Sequence, residues 1–529
     1  MSEAKSASAS ADQLRKDQVQ VAKGAGLTGI GAVLEGVLRY VSMLLVTQNY
    51  GRQAYGVFGF VMMLNEMGQR VSSAGLHDGV MRNVAVHEAD GETNKTRGAI
   101  LFAAKLIVGI GVLYGVGLAL FADQVANLLD SEEAKDVPKD IVARVVIISC
   151  FALPTTALIM LMGRTLRALK EIGAQVIVRS FLQPISRVAL ILLFLLFLGN
   201  ENMEGLAWAI VLSAALCCGV AVWFVHKRVG LFGKSNDSEI DKRAFMKFAM
   251  PLIGVDILTF FSLNADIFLL GDMRSQGELG SYMAVVRLVP ILALPLFLFS
   301  SLLTPLSAEL YGQKRMDDLR QLYRTSVRWI FAVSLPFTLT GVIWAEPILG
   351  HLGEGFEEGA SAFIVIALTL IITGFANPAG YAVTMAGYSR ITLMNSAVML
   401  VTVAGLGWWL IPEYGILGAA IARAGANLAN CILTLTQGYI ILGLQPLHGA
   451  LVKPAIAIAI AASGAWGLLH IEFLPYTLGG AVLGGMVMSL IYTIIFAVLG
   501  LSDEDKHVLL AGSKPLHGVA KKVGRLFGR

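Results

Sequence analysis

Long apolar runs, separated by short polar segments, follow one another along almost the whole chain. Each run holds about 20 mostly apolar residues, the length that an α-helix needs to cross a membrane. The runs are continuous, whereas the strands of a membrane barrel show alternating polarity over segments of about ten residues. The pattern predicts an all-α polytopic membrane protein with about fourteen transmembrane helices. The predicted spans are 24–48, 54–78, 98–122, 141–163, 175–199, 204–226, 244–271, 279–305, 325–349, 359–385, 391–412, 415–440, 449–470 and 476–500.

The spans form two groups of six, followed by two more. The motif Tyr55-Gly56-Val57-Phe58 opens the second span, and Leu279-Gly280-Ser281-Tyr282 opens the eighth, each after a short loop. Because each unit holds an even number of spans, both units start from the same side of the membrane, and the two predicted lobes are parallel. The predicted segments are a cytoplasmic tail 1–23, a first lobe 24–226, a cytoplasmic linker 227–243, a second lobe 244–440, two further helices 441–500 and a basic amphipathic tail 501–529.

The basic residues outside the spans lie mostly on one side of the predicted membrane. Short cytoplasmic loops are enriched in Lys and Arg, so this asymmetry places both termini in the cytoplasm. In the C-terminal tail, apolar residues at helical spacing alternate with basic ones, which suits either a helix on an anionic lipid surface or a plain basic tail. The predicted outer loops hold only Arg52, Lys135, Lys139, Arg144 and Arg274.

Composition narrows the functional classes. The chain has 529 residues, of which 56% are hydrophobic and 15% charged, with a net charge of +4. Soluble domains carry about 25% charged residues, and nucleic-acid binding needs a concentrated basic face, so neither class fits. The four cysteines lie in apolar runs without CxxC spacing, which predicts packing residues rather than metal ligands. The sequence contains no Walker A motif, and we expect no cofactor and no metal site.

Ionisable residues inside the predicted spans are the candidates for function. Each costs roughly 2.5–3.5 kcal/mol at the centre of a bilayer, so each must face protein or a wet cavity. A guanidinium group holds a phosphate through two hydrogen bonds and stays charged, which suits a cavity for a lipid-linked diphosphate. The candidate cavity residues are Arg39, Arg70, Arg187, Arg287 and Arg423.

Two interpretations stay open for some of these arginines. Arg39 and Arg70 follow Glu35 and Glu66 by four residues, so each pair could also neutralise itself on its own helix. The three arginines without an acidic residue beside them are expected to line the cavity; they are Arg187, Arg287 and Arg423.

Carboxylates within the spans are the candidates for ion coupling, because they can take up and release a proton. The histidines lie in loops or at span ends, which disfavours a histidine relay. Glu35 and Asp256 lie at similar depth in the first and seventh spans, which the repeat makes equivalent. The candidate coupling residues are Glu35, Glu66, Asp256 and Asp266.

Several motifs, in order and spacing, resemble the polysaccharide flippase (Wzx-type) branch of the multidrug/oligosaccharidyl-lipid/polysaccharide (MOP) exporter superfamily. Together they cover most of residues 24–440. They are Asp266-x-Phe268-x-Leu270-Gly271, Gly280-x-Tyr282, Pro305-x-Ser307, Tyr50-Gly51-x-x-x-Tyr55-Gly56 and Tyr414-Gly415-x-x-Gly418.

The resemblance implies a flippase in a bacterial inner membrane. Such a protein moves a lipid-linked oligosaccharide from the cytoplasmic to the outer leaflet by alternating access, with a polysaccharide polymerase and other assembly proteins as partners. Fourteen spans are similar to the lipid II (MurJ-type) flippases, which keeps that function open. A cation-coupled multidrug exporter would favour an apolar or acidic cavity. A membrane saccharide polymerase or ligase would need a sizeable outer loop with Arg or His, which the chain lacks.

Overall fold

The computed structural model of the chain describes residues 2–73, 75–89, 91–130, 137–199, 202–232, 242–445, 452–470 and 476–498. Helices make up nearly all of these residues, and none of them forms a strand, so the all-α prediction is confirmed. Most of the predicted linker 227–243 and the whole predicted tail 501–529 lie outside the described residues.

Eighteen α-helices follow one another along the described residues. A π-helical segment, Ile177–Leu182, joins α7 to α8, and a 3-10 turn, Phe356–Gly359, precedes α15. Among the described residues, eight helical segments are long and apolar enough to cross a membrane. The helices are α1 (Ser2–Ser73), α2 (Leu76–Ala89), α3 (Thr93–Leu120), α4 (Ala122–Leu128), α5 (Lys139–Cys150), α6 (Ala152–Ala168), α7 (Ile172–Val176), α8 (Gln183–Leu198), α9 (Met203–Val229), α10 (Lys242–Met273), α11 (Gln276–Leu292), α12 (Leu294–Gly312), α13 (Met316–Ile343), α14 (Ala345–Gly350), α15 (Ala360–Met385), α16 (Ser389–Leu442), α17 (Val452–His470) and α18 (Leu478–Val498).

The two longest helices are each broken at a glycine. In α1, Gly51 has φ 79° and ψ 179°, and in α16, Gly415 has φ 52° and ψ −126°. A positive φ favours glycine, since a Cβ atom clashes with the backbone there. Both glycines belong to the Tyr-Gly motifs noted in the sequence. The motif therefore has a physical role as the joint between two consecutive helical segments.

Two predicted spans are interrupted in the structure. The fourth span is split into α5 and α6 at Phe151, and the eighth into α11 and α12 at Ala293. Pro154 lies in the first turn of α6, and Pro290 lies in the last turn of α11. Proline cannot donate the backbone hydrogen bond that continues a helix, so a continuous apolar run does not guarantee a continuous helix.

The largest part of the core crosses the predicted boundary between the two lobes. One large buried cluster runs through α1, α3, α5, α6, α9, α10 and α11. A second cluster joins α13 and α14 to the last two helices through Trp344, Ala461 and Met488. All four cysteines are buried and free, which confirms their prediction as packing residues.

Candidate functional site

A cavity of about 110 Å³ lies where α1, α10 and α11 meet. The first of these helices belongs to the predicted first lobe, and the other two belong to the second. Arg39, Glu66 and Arg287, three of the candidate residues, line this cavity together. The full lining is Arg39, Met63, Glu66, Asn264, Ile267, Met283, Val286, Arg287 and Pro290.

Two arginines of the cavity lie deep along their helices when measured from the end near Gly51. Arg39 precedes Gly51 by about 18 Å of helix, and Arg287 follows Gln276 by about 16 Å, at 1.5 Å per residue. The hydrocarbon core of a bilayer is about 30 Å thick, so both guanidinium groups lie near its middle. Charges at that depth require a polar surrounding, which the cavity provides.

Two of the arginines are paired on their own helix. Arg39 Nη2 lies 2.7 Å from Glu35 Oε1, and Arg70 Nη2 lies 3.1 Å from Glu66 Oε1. Both guanidinium groups retain free donors, because the Arg39 side chain is 56% exposed and Arg70 Nε has no hydrogen-bond partner. Local pairing and binding of a further anion are therefore compatible at both positions.

Arg187 and Arg287 make no hydrogen bond or ion pair with any described residue. Arg187 Nε is buried without a partner. Arg187 lies on α8, which packs against α1, and the charges of Arg39, Arg287 and Glu35 act on it. A buried guanidinium group without a partner is costly, so the site is suited to an anion that supplies the missing acceptors.

The site carries a net positive charge. Within the described residues, four guanidinium groups face two carboxylates, which leaves an excess of two positive charges. The four arginines are Arg39, Arg70, Arg187 and Arg287, and the two acids are Glu35 and Glu66.

The prediction that Arg423 lines the cavity without an acidic partner is wrong. Arg423 Nε lies 2.6 Å from Asp266 Oδ2, and Arg423 Nη2 lies 2.9 Å from Asp266 Oδ1. Tyr282 donates its hydroxyl proton to the same carboxylate, and Arg423 Nη2 donates to the Leu263 carbonyl at 2.8 Å. The partner was not recognisable because it lies 157 residues away and meets Arg423 only where α10 packs against α16.

The two remaining coupling candidates on α10 differ in their surroundings. Asp266 is fully buried and engaged by Arg423 and Tyr282, so its oxygens are occupied. Asp256 is half-buried and makes no hydrogen bond or ion pair with another described residue. It does not line the cavity.

Polar contacts between the two predicted lobes close one end of the cavity, which we call the Gly51 end. Arg52 Nη1 lies 2.5 Å from Glu358 Oε2 and donates to the Gly355 carbonyl at 3.0 Å. Gln48 Nε2 donates to the His351 carbonyl at 3.2 Å. Each contact joins α1 to the segment between α14 and α15.

Two further features tighten the same end. Gln276 Nε2 donates to the Leu129 carbonyl at 3.0 Å, and its Oε1 accepts the Val137 amide at 2.8 Å. At Gly56 and Gly280, α1 and α11 approach so closely that a Cβ on either glycine would collide with the backbone of the other helix. The repeated glycine motifs of the two lobes therefore meet each other at this crossing.

At the opposite end, α10 forms the close contact with the first lobe. Gly75 packs against the Ala249 backbone, and Gly79 packs against the ring of Phe245. The Phe245 ring also contacts Phe102 edge-on, with 5.6 Å between the ring centroids. The contacts described at this end are made by apolar and aromatic groups of α10.

Some residues of the candidate site were not predicted from the sequence. Asn264 lines the cavity, but a search restricted to charged groups overlooked it. The Gly51 end is closed by Arg52, Gln276 and Glu358. The sequence placed these residues in or beside predicted loops and gave them no further role. A polar residue two positions before Asp266 in an apolar run was the signal available for Asn264. No comparable local signal marks the others, because their partners are distant in sequence.

No group of three potential metal ligands occurs in the part of the chain that the structure describes. The cavity presents arginine, carboxylate and amide groups. Such a space can bind an anion through charge-assisted hydrogen bonds and release it when the surrounding helices move.

Comparisons with known proteins identify the family and the fold. The family described as polysaccharide biosynthesis protein matches residues 51–361, more than half of the chain. The chain is 20% identical over 411 residues to a putative O-antigen transporter of Shigella flexneri, which covers 76% of this chain and 94% of that protein.

Solved structures show the same fold. One is lipid II flippase MurJ in an inward closed conformation, with a TM-score of 0.70 at 11% identity, covering 89% of this chain and 98% of that chain. Another is a multidrug resistance MATE family transporter of the MOP superfamily, with a TM-score of 0.65 at 13% identity, covering 77% and 94%.

The relatives named here are transporters or flippases, and none is described as an enzyme. The expectation of transport rather than catalysis is confirmed, and the saccharide polymerase or ligase alternative is set aside. The chain is a membrane transporter with the fold of the MOP superfamily, and it belongs to the polysaccharide biosynthesis protein family.

Proposed function

We propose that the chain flips a lipid-diphosphate-linked oligosaccharide, a polysaccharide repeat unit, from the cytoplasmic to the outer leaflet of a bacterial inner membrane. The observation that carries this proposal is the pair of unpartnered guanidinium groups, Arg187 and Arg287, at the cavity between the lobes. A diphosphate brings at least two negative charges, which balance the excess of two positive charges at the site. Arginine holds each phosphate through paired hydrogen bonds.

The proposal includes an architecture and an orientation. Fourteen spans form two parallel six-helix lobes and two C-terminal helices, with both termini in the cytoplasm. The Gly51 end then faces the outer side, where the contacts of Arg52 and Gln276 hold the lobes together. The structure in this orientation is a state closed to the outside, and transport requires those contacts to break as the opposite end closes.

The proposed energy source is the membrane potential, because the substrate that moves is negatively charged. With a negative cell interior, the membrane potential assists outward movement of an anion by about 2.3 kcal/mol per charge per 100 mV. Return of the empty cavity is the harder step, because its guanidinium groups have lost their anion. Glu35 and Glu66 neutralise Arg39 and Arg70 in that step, and protonation from outside frees the arginines again. We assign Asp256 to the same coupling group and Asp266 to structural support of α10.

The alternatives differ in substrate rather than in fold. Lipid II also carries a diphosphate, so the cationic cavity suits it equally, and a MurJ flippase shares the fold. A cation-coupled multidrug exporter is disfavoured, since an excess of positive charge repels cationic drugs. The choice is tested by placing the purified protein in vesicles that contain one substrate at a time.

Three substrates separate these functions: a lipid-diphosphate-linked oligosaccharide, lipid II and a cationic dye. We expect the oligosaccharide to reach the opposite leaflet at least about tenfold faster than in protein-free vesicles, with lipid II slower. Faster transfer of lipid II would assign the chain to peptidoglycan synthesis. Transport of the dye alone would make it a drug exporter.

A further inference from the structure

A second group of arginines lies outside the cavity, at the end opposite Gly51. Arg164 and Arg167 are in the last turns of α6, and Arg179 is in the π-helical segment before α8. Arg164 and Arg167 are one turn apart on α6, and Arg167 Nε donates to Gln175 Oε1. Gln175 precedes Arg179 by four residues, one helical turn, so the three guanidinium groups form one cluster. We call it the arginine triad.

The triad is poorly neutralised. Arg164 Nη1 lies 3.4 Å from Asp78 Oδ1, and Asp78 also lies 3.5 Å from His77 Nε2. Arg167 Nε donates to the amide oxygen of Gln175 at 3.2 Å, which carries no charge. Arg179 is exposed and makes no hydrogen bond or ion pair with a described residue.

A nearby acid is already engaged elsewhere. Glu171, in the turn between α6 and α7, lies 3.8 Å from Arg228 Nε, and Arg228 also binds Glu88 at 2.9 Å. Asp78 is therefore the single carboxylate paired with the triad among the described residues. The cluster keeps an excess of two positive charges, the same excess as the cavity.

The π-helical segment Ile177–Leu182 connects the triad to the cavity. Arg179 and Arg187 are eight residues apart, which in a regular α-helix turns their side chains about 80° away from each other. A π turn accommodates one extra residue, and the part of it that follows Arg179 brings this angle below 80°, toward the about 20° of a seven-residue spacing. The π segment thus brings the two arginines toward the same side of the helix, about 12 Å apart along its axis.

We propose that Arg164, Arg167 and Arg179 form a capture site that binds the phosphate groups of the lipid-linked substrate before they reach the cavity. The identity of the ligand, the lipid-linked substrate, rests on the proposed function. Bound phosphate then passes from Arg179 to Arg187 along one side of the helix, with no intervening unpaired acid on that side among the described residues. Each step exchanges one set of charge-assisted hydrogen bonds for another.

The test is equilibrium binding of a polyprenyl diphosphate to the full-length protein in discs of zwitterionic lipid. The variant is the double substitution R167Q/R179Q, and the matched control is R315Q/R390Q, which removes two exposed basic residues elsewhere. We expect R167Q/R179Q to weaken binding about tenfold relative to the control. Flipping should slow at low substrate concentration and recover at saturation, since the cavity is unchanged.

Three results overturn the proposal. The first is diphosphate binding by R167Q/R179Q within twofold of the control. The second is an equal loss of phosphatidylglycerol binding, which would make the triad a site for ordinary lipid headgroups. The third is a matching loss of thermal stability, which would explain the effect by weakened packing of α6. If the wild-type protein binds the diphosphate through these arginines but flips no saccharide, the proposed function fails and the capture site stands.

Discussion

Arg187 and Arg287 come from different lobes of the chain, yet their charges act on each other beside the cavity and neither has a described acidic partner. Two like charges held together in a low-dielectric environment destabilise the empty protein. A protein keeps such an arrangement when a ligand compensates for it. The pair is therefore better explained by binding than by packing.

The first prediction separates those two explanations. Replacing Arg187 with Met removes a buried donor without a partner, which should stabilise the protein by about 1–3 kcal/mol. The same change should abolish flipping, because one phosphate contact is lost. The measurements are thermal unfolding in detergent and transfer of the lipid-linked oligosaccharide in vesicles. Loss of stability together with full activity would show that Arg187 serves packing instead.

The second prediction concerns the buried pair of Asp266 and Arg423. Asp266→Asn leaves the guanidinium group without its counter-charge and should cost about 3–5 kcal/mol of stability. The double variant D266N/R423Q should be more stable than either single variant, since no charge is left unpaired. Chemical unfolding of the four proteins measures the coupling. Independent, additive effects would contradict the assignment of Asp266 to structural support.

The third prediction concerns closure at the Gly51 end. Arg52→Glu places two acids face to face at Glu358 and should favour opening of this end. The charge swap R52E/E358R should restore closure and most of the flipping rate. Cysteine accessibility at Ser281, measured with an impermeant reagent on a background without native cysteines, reports the opening. Unchanged labelling in Arg52→Glu would show that the Arg52–Glu358 ion pair does not hold the end closed.

The fourth prediction concerns coupling. Glu35→Gln or Asp256→Asn should slow turnover more than it weakens substrate binding, since these acids act when the cavity is empty. Binding and flipping are measured separately, with and without an imposed pH gradient. Wild-type flipping by both variants, with the same response to pH, would leave the carboxylates as structural partners and assign the driving force to the potential.

The sequence predicted those features that depend on local pattern. The apolar runs located the helices, and the spacing of Glu35 and Arg39 indicated their ion pair, because both are encoded within one helical turn. The Tyr-Gly motifs were visible, but their role at Gly51 and Gly415 required backbone angles. Long-range partners could not be predicted, because nothing near Arg423 in sequence indicates that Asp266 packs against it.

The cavity residues show the same limit of prediction from the sequence. Arg39, Glu66 and Arg287 were predicted from the cost of a charge in the bilayer, which requires no knowledge of neighbours. Asn264 was not predicted, because a neutral amide carries a smaller cost and is less conspicuous. The π-helical alignment of Arg179 with Arg187 also escaped the sequence, since a regular helix turns these residues apart.

The most direct measurement of the central claim is binding of lipid-linked diphosphate and monophosphate to the wild-type protein and to Arg287→Gln. Arg287→Lys and Arg315→Gln serve as controls for the charge and for loss of an unrelated arginine. The account predicts that Arg287→Gln weakens diphosphate binding by about 1.5–3 kcal/mol, roughly tenfold or more. Monophosphate binding should be weakened less, and Arg287→Lys should restore part of the lost diphosphate binding. Equal binding of both ligands by wild type and Arg287→Gln would contradict a cationic cavity for diphosphate.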